Sequence, residues 1–134
     1  MAVPMELSRI LIREDNDYQI IELREVDGER TFPIVIGLPE AQAIERRLQG
    51  IEIKRPLTHE LLANVIEAFG GELESITIND LSEHTFYAQL NIRDSSARLI
   101  DIDCRPSDAI ALGISRAVPV FVEEHVLDEA QSDL

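Results

Sequence analysis

Thr31-Phe32-Pro33-Ile34-Val35-Ile36-Gly37-Leu38-Pro39-Glu40-Ala41-Gln42-Ala43-Ile44 carries the change of period that decides the fold. Phe32, Ile34 and Ile36 recur at every second residue, which places them on one face of a strand. Gly37-Leu38-Pro39-Glu40 breaks the alternation, and Pro39 suits a first helical position, where its missing N–H costs nothing. Ala41, Ile44 and Leu48 follow at helical spacing until Gly50. The local order is strand, proline-marked corner, helix.

Working outward, Leu7 to Arg13 and Tyr18 to Glu25 read as strands, separated by the polar turn Glu14-Asp15-Asn16-Asp17. Asp27-Gly28 is a hairpin signal. Downstream, a helix is expected from Thr58, as N-cap, to Phe69, with Leu61, Leu62, Val65, Ile66 and Phe69 as its apolar stripe. Gly70-Gly71 ends it. Leu73 to Ile78, Thr85 to Ile92 and Arg98 to Cys104 then read as strands, followed by Arg105-Pro106-Ser107-Asp108 and a helix from Ala109 to about Ala117. A short strand, Val118 to Val122, precedes an acidic tail at 128–134.

Glu40-Ala41-Gln42-Ala43-Ile44 and Asp108-Ala109-Ile110-Ala111-Leu112 correspond. Each follows a strand and a proline turn, and each opens a helix with an acid followed by small and apolar residues. The expectation is an α+β fold built from duplicated strand-strand-strand-helix halves.

The whole chain sets bounds on these readings. Its 134 residues suit a single domain, 1–134, with one core spanning about 7–127. No apolar run approaches the roughly 20 residues that cross a bilayer, so no membrane partner is expected. Met1 to Arg13 has no signal-peptide pattern, and Cys104 is alone, which excludes an internal disulfide. The cytoplasmic compartment is expected. A net charge of −14 repels polyanions at long range. The densest basic spots are Arg46–Arg47 and Lys54–Arg55, so binding of nucleic acid requires a local site, with a cation as its expected companion.

Leu99 to Asp108 is the segment richest in chemistry. Strand parity turns Ile100, Ile102 and Cys104 into the core and sets Asp101 and Asp103 side by side on the opposite face. Asp108 at the next helix start adds a third carboxylate, an oxygen set suited to Mg²⁺ or Mn²⁺. The plainer alternative is a solvated sheet face, with Asp108 complementing the helix dipole. Arg105 suits bidentate phosphate binding and Ser107 a further donor; equally, the two suit a salt bridge and a cap. In Arg55-Pro56-Leu57-Thr58-His59-Glu60, His59 stands at a helix start beside an acid, as a proton acceptor, a metal ligand or simply an exposed first-turn residue. Cys104 has core parity, and Ser107 lacks a nucleophile-elbow context.

Four blocks in order resemble the bifunctional nuclease domain family: Ile36 to Ile44, Arg55 to Leu61, Thr85 to Ala88, and Asp103 to Leu112. Together they cover nearly the whole chain, from about Leu7 to Leu127. The departures are mild: Cys104 stands where a small residue is common, and Glu60 where aspartate is common. The resemblance implies duplicated halves around a barrel-like or strongly curved mixed sheet with packed helices, and a nuclease acting on DNA and RNA. Carried onto this chain, it singles out Glu40, Arg55, Thr58, His59, Glu60, Asp103, Arg105, Ser107 and Asp108.

Two functional expectations follow. One is a phosphodiesterase of low sequence specificity, with catalytic His59, Glu60, Asp103 and Asp108 and a metal on Asp103, Asp108 and Glu40. Arg55, Arg105, Ser107 and Thr58 bind its substrate. The other is a non-catalytic homo-oligomeric module that binds an anion or a protein, its arginines bridging to Glu40, Asp103 or Asp108. Exposed β edges are compatible with a dimer in either case.

Overall fold

The computed structural model describes residues 1–132 and shows the expected order twice. In chain order the elements are β1 (Ala2–Leu11), β2 (Gln19–Glu25), β3 (Thr31–Ile36), α1 (Leu38–Leu48), α2 (Thr58–Ala68) and β4 (Glu72–Ser82). They continue with β5 (Thr85–Arg93), β6 (Leu99–Cys104), α3 (Pro106–Arg116), β7 (Val120–Glu123) and α4 (Glu124–Ser132). Thus β1-β2-β3-α1 and β4-β5-β6-α3 are the repeated units.

Each trio of strands is an antiparallel meander, and β7 joins them in one mixed sheet of order β3-β2-β1-β7-β4-β5-β6. Its pairing is antiparallel to β1 and parallel to β4, where Ile76, Thr77 and Ile78 face Val120, Phe121 and Val122. Register shifts at Leu7/Arg9, Leu73/Ser75 and Ile78/Asp80 bend the strands, because an extra residue on one side shortens the other. The bend is strong. Phe32 of edge strand β3 stacks on Phe86 of β5 with ring centroids 5.4 Å apart. Of the two forms expected, barrel-like or strongly curved, the sheet takes the curved one: it does not close into a barrel, and β3 and β6 are its two ends. Pro33, which has no N–H to donate, sits on the end strand β3, where a proline is tolerated.

Helix α3 fills the hollow. Ala109, Ile110, Ala111, Leu112 and Gly113 are all buried, against core residues that include Ile76, Ile78 and Leu90. It begins at Pro106, three residues before the expected Ala109, and ends at Ala117 in the left-handed conformation. Helix α1 packs beside it with Ala41, Ala43 and Ile44 buried.

Four expectations change. The core reaches beyond position 7 towards the N-terminus: β1 starts at Ala2 and Met5 is buried. The acidic tail proves to be helical through Ser132: α4 buries Val126, Leu127 and Ala130 (133–134 lie outside the described residues). Ile102 faces the core side as expected, but β6 ends the sheet and leaves it 45% exposed. Of the stripe expected to pack α2, Ile66 does pack against the core, but Leu61, Leu62, Val65 and Phe69 are exposed; Ala63 is the residue of α2 that is buried. Periodicity shows that a helix has an apolar face, and not what covers it.

Full burial of a leucine side chain stabilises by about 1.5–3 kcal/mol before any cavity cost. Leu127→Ala is therefore expected to lower stability by about 3 kcal/mol in urea titration, and exposed Glu129→Ala by less than about 0.5 kcal/mol. Equal, small effects would mean that α4 does not dock.

Candidate functional site

The two halves meet through their matching acids. Glu40 is the third residue of α1 and Asp108 the third of α3, so each carboxylate stands at a helix N-terminus, where the dipole favours negative charge. Arg105, the N-cap residue of α3, connects them. Its Nε and Nη2 donate to Asp108 Oδ2 and Oδ1 at 3.0 and 3.1 Å, and its Nη1 donates to Glu40 Oε1 at 2.9 Å. In the first half the equivalent N-cap position is Gly37. A Cβ added there would lie 2.5 Å from Glu40 Oε2, so the missing side chain gives that carboxylate its place.

His59, from the first turn of α2, joins the same set. Its Nε2 lies 3.0 Å from Asp108 Oδ1, which leaves Nδ1 as the ring nitrogen not facing the carboxylate. Three helix starts are thus tied into one cluster. Burial pushes the Asp108 carboxyl up, but hydrogen bonds from Arg105 and His59 outweigh it and hold the group below the usual aspartate range. Contact with the two acids raises the Arg105 guanidinium further above its already high value. Burial, helped by the charges of Asp108 and Asp103, pushes the Cys104 thiol up to about 12, so it is not a thiolate nucleophile at neutral pH.

Arg105 also borders an open crevice of about 450 Å³ between the two ends of the curved sheet. Tyr18, Ile36, His84, Phe86, Pro106 and Ser107 contribute to its walls. His84 lies in the two-residue turn between β4 and β5, where Glu83 and His84 both have positive φ, 50° and 64°. Asn-Gly is the usual sequence for such a turn, and these side chains adopt it at a steric cost.

The other expected residues separate. Asp103 faces solvent beside Gln89, with Asp101 on the same face accepting from Asn91 at 2.9 Å; this parity is as expected. Glu60 is a brace: its Oε1 accepts the Leu57 N–H at 3.0 Å, and its other oxygen pairs with the buried Arg47. Thr58 is the first residue of α2, and the capping position belongs to Leu57. Arg55 is exposed in the connection before α2, outside both cluster and crevice. Ser107 is buried and lines the crevice. Tyr18 and His84 were not singled out by sequence; Arg47 was read only as part of a basic spot, and Phe86 only as a strand residue within the Thr85 to Ala88 block.

Among the described residues no three His, Cys, Asp or Glu side chains are grouped to hold a metal ion. Both Asp108 oxygens and Glu40 Oε1 are already engaged by Arg105 and His59. As arranged, Glu40, Asp103 and Asp108 do not fit Mg²⁺ or Mn²⁺, because a guanidinium occupies the place of the cation.

The bifunctional nuclease domain matches residues 21–134. The chain belongs to the bifunctional nuclease domain family. An uncharacterized protein of Mycobacterium tuberculosis is 44% identical to it over 121 residues, 90% of this chain and 71% of the relative. Bifunctional nuclease 2 of Oryza sativa subsp. japonica is 27% identical over 83% of this chain and 35% of the relative. Bifunctional nuclease 1 of Arabidopsis thaliana is 21% identical over 79% and 34%. The family domain of this chain thus corresponds to about a third of each of these plant proteins. The resemblance carried by the four sequence blocks is confirmed at the level of the family. None of the helices described is long and apolar enough to cross a membrane.

Removing Arg105 leaves two half-buried carboxylates facing each other. Arg105→Met is expected to cost about 1–2 kcal/mol at neutral pH, discounted from the cost of breaking a fully buried pair. Because the Asp108 carboxyl is depressed in the fold, its stabilisation is complete above the ordinary aspartate value of about 3.9 and is lost as pH falls through the depressed one. The stability difference between wild type and Arg105→Met should shrink below about pH 4. A difference independent of pH would show that the lost contribution is packing.

Proposed function

We propose that the chain hydrolyses phosphodiester bonds in DNA and RNA at the Arg105 corner, with little sequence specificity. One observation carries this reading: Arg105 is the residue shared by the charge cluster and the crevice. Its side chain is 64% exposed although both acids that hold it are mostly covered, so the guanidinium is oriented from behind and open in front. Such a group meets a phosphate oxygen without first losing conformational freedom.

In this reading Arg105 takes the scissile phosphate and stabilises the charge that grows on it, while Glu40 and Asp108 keep the guanidinium in place. His59, oriented by Asp108 through Nε2, takes at Nδ1 a proton from the water that attacks phosphorus, as the P–O bond to the leaving oxygen breaks and that oxygen is then protonated from solvent. Contacts to phosphate carry no sequence information, which accounts for a low specificity. The strained His84 turn at the crevice supports a functional use of that wall, since such backbone conformations gather at ligand sites. The plant relatives' names, which give each as a bifunctional nuclease, agree with this chemistry.

A second reading is favoured by the same distances. Each acid of the cluster, Glu40 and Asp108, is matched by Arg105, and Glu60 outside it by Arg47, as in a structural brace. The chain would then be a non-catalytic anion- or protein-binding module.

Purified protein incubated with single-stranded DNA and RNA, with and without chelator, separates the two. Cleavage is expected to survive chelation, to fall about 10²–10³-fold in Arg105→Ala and at least about 10²-fold in His59→Ala. Asp103→Asn, on the outer face, should stay within about twofold of wild type, as expected of a surface change away from the site. Cutting that Arg105→Ala and His59→Ala leave intact would remove the cluster from the chemistry. Binding without cutting would establish the second reading.

A further inference from the structure

Helix α2 is apolar on the wrong side for a helix that packs on its own chain. Leu57, Leu61, Leu62, Val65 and Phe69 are 43%, 55%, 39%, 43% and 86% exposed, while Ala63 lies beneath them at 4%. Contiguous apolar surface of this kind marks a contact site, since single scattered leucines would not recur at helical spacing. Leu57, Leu61, Val65 and Phe69 are each four residues apart and form a ridge about 18 Å long, the full length of the helix.

We propose that this ridge is the contact between two copies of the chain, packed antiparallel about a twofold axis. The spacing is self-complementary. An axis at the level of Ala63 sets Leu57 against the partner's Phe69 and Leu61 against the partner's Val65, ridge into groove. The exposed side chains amount to on the order of 500 Å² per copy, more than half of the roughly 800 Å² per partner in a standard interface.

Charge selects the same face. A chain of net charge −14 repels its own copy over most directions of approach. The charged and imidazole groups of α2 are engaged within the chain: His59 with Asp108, Glu60 with Arg47, and Glu67 with Arg116 at 2.8 Å. The ridge itself carries no charge, so a charged partner finds no ion pair along its length; the exposed Lys54 and Arg55 stand only beyond its Leu57 end. The β edges, expected to serve as contacts, are less suitable. Pro33 interrupts β3, and pairing β6 with its own copy would bring Asp101 and Asp103 towards the same acids of the partner. Because His59 lies on α2, the contact would also hold the third member of the charge cluster in place.

Sedimentation equilibrium or light scattering on full-length protein over a wide concentration range tests the proposal. Wild type should weigh twice the chain mass, dissociating on dilution. Leu61→Glu and Phe69→Glu should halve the mass with an unchanged far-ultraviolet spectrum, while Val35→Glu, on the exposed side of β3, should remain dimeric. In a Cys104→Ser background, an oxidised mixture of Leu61→Cys and Val65→Cys chains should give the mixed disulfide dimer far above either chain alone. That arm decides the matter if a glutamate variant fails to fold. A wild type that is monomeric throughout, a Leu61→Glu dimer, or no preference for the mixed disulfide would each overturn the proposal.

Discussion

One guanidinium joins the two halves of this protein. The repeat places an acid at the third position of both α1 and α3, and the fold brings these two helix starts together. Two positive dipole ends and two carboxylates in one place need a cation with a planar, forked set of donors, and Arg105 supplies it. The symmetry is broken where it has to be. A side chain at the equivalent position 37 would displace the Glu40 carboxylate from where Arg105 holds it, and glycine stands there. The repeated order of elements places the pair of acids, while a local asymmetry accounts for the single cation between them.

The curvature of the sheet turns this junction into a site. Three register shifts bend the strands until β3 approaches β5, and the Phe32–Phe86 stack holds that approach. Had the ends closed on each other, Arg105 would face hydrogen-bonded strand. Because they stop short, a crevice stays open beside it, with a strained turn carrying His84 at its border. The hydrophobic filling of α3 against the sheet is what makes the open form tolerable: the core is complete without closure.

Charge shapes how such a site would work. At −14 the molecule offers a nucleic acid no long-range attraction, so recognition has to come from short-range contacts with an oriented group. In the proposed reading Arg105 would be that group, and its two acids cut both ways. They hold it rigid, yet they also neutralise part of its field. The balance between orientation and neutralisation distinguishes a catalytic corner from a brace. The region matched makes up only about a third of these plant relatives.

Much of this was legible in the linear order of residues. Two-residue and helical periods placed the strands, α1 and the repeat, because backbone geometry alone dictates which side chains share a face. The corner residues Glu40, His59, Arg105 and Asp108 were legible as candidates, since proline-marked helix starts are local features. What covers a face was not local. Most of the stripe of α2 looked like core and is exposed, residues 128–132 looked like an acidic tail and belong to a helix with one buried face, and Ile102 has core parity at an uncovered edge. A bridge from Arg105 to Glu40 or Asp108 was one of two expectations, but no pattern could choose it over a metal between these acids, residues 65 and 3 positions from it. Periodicity reports the direction of a side chain relative to its own backbone. Partners are set by how distant segments pack, and only the folded chain decides that.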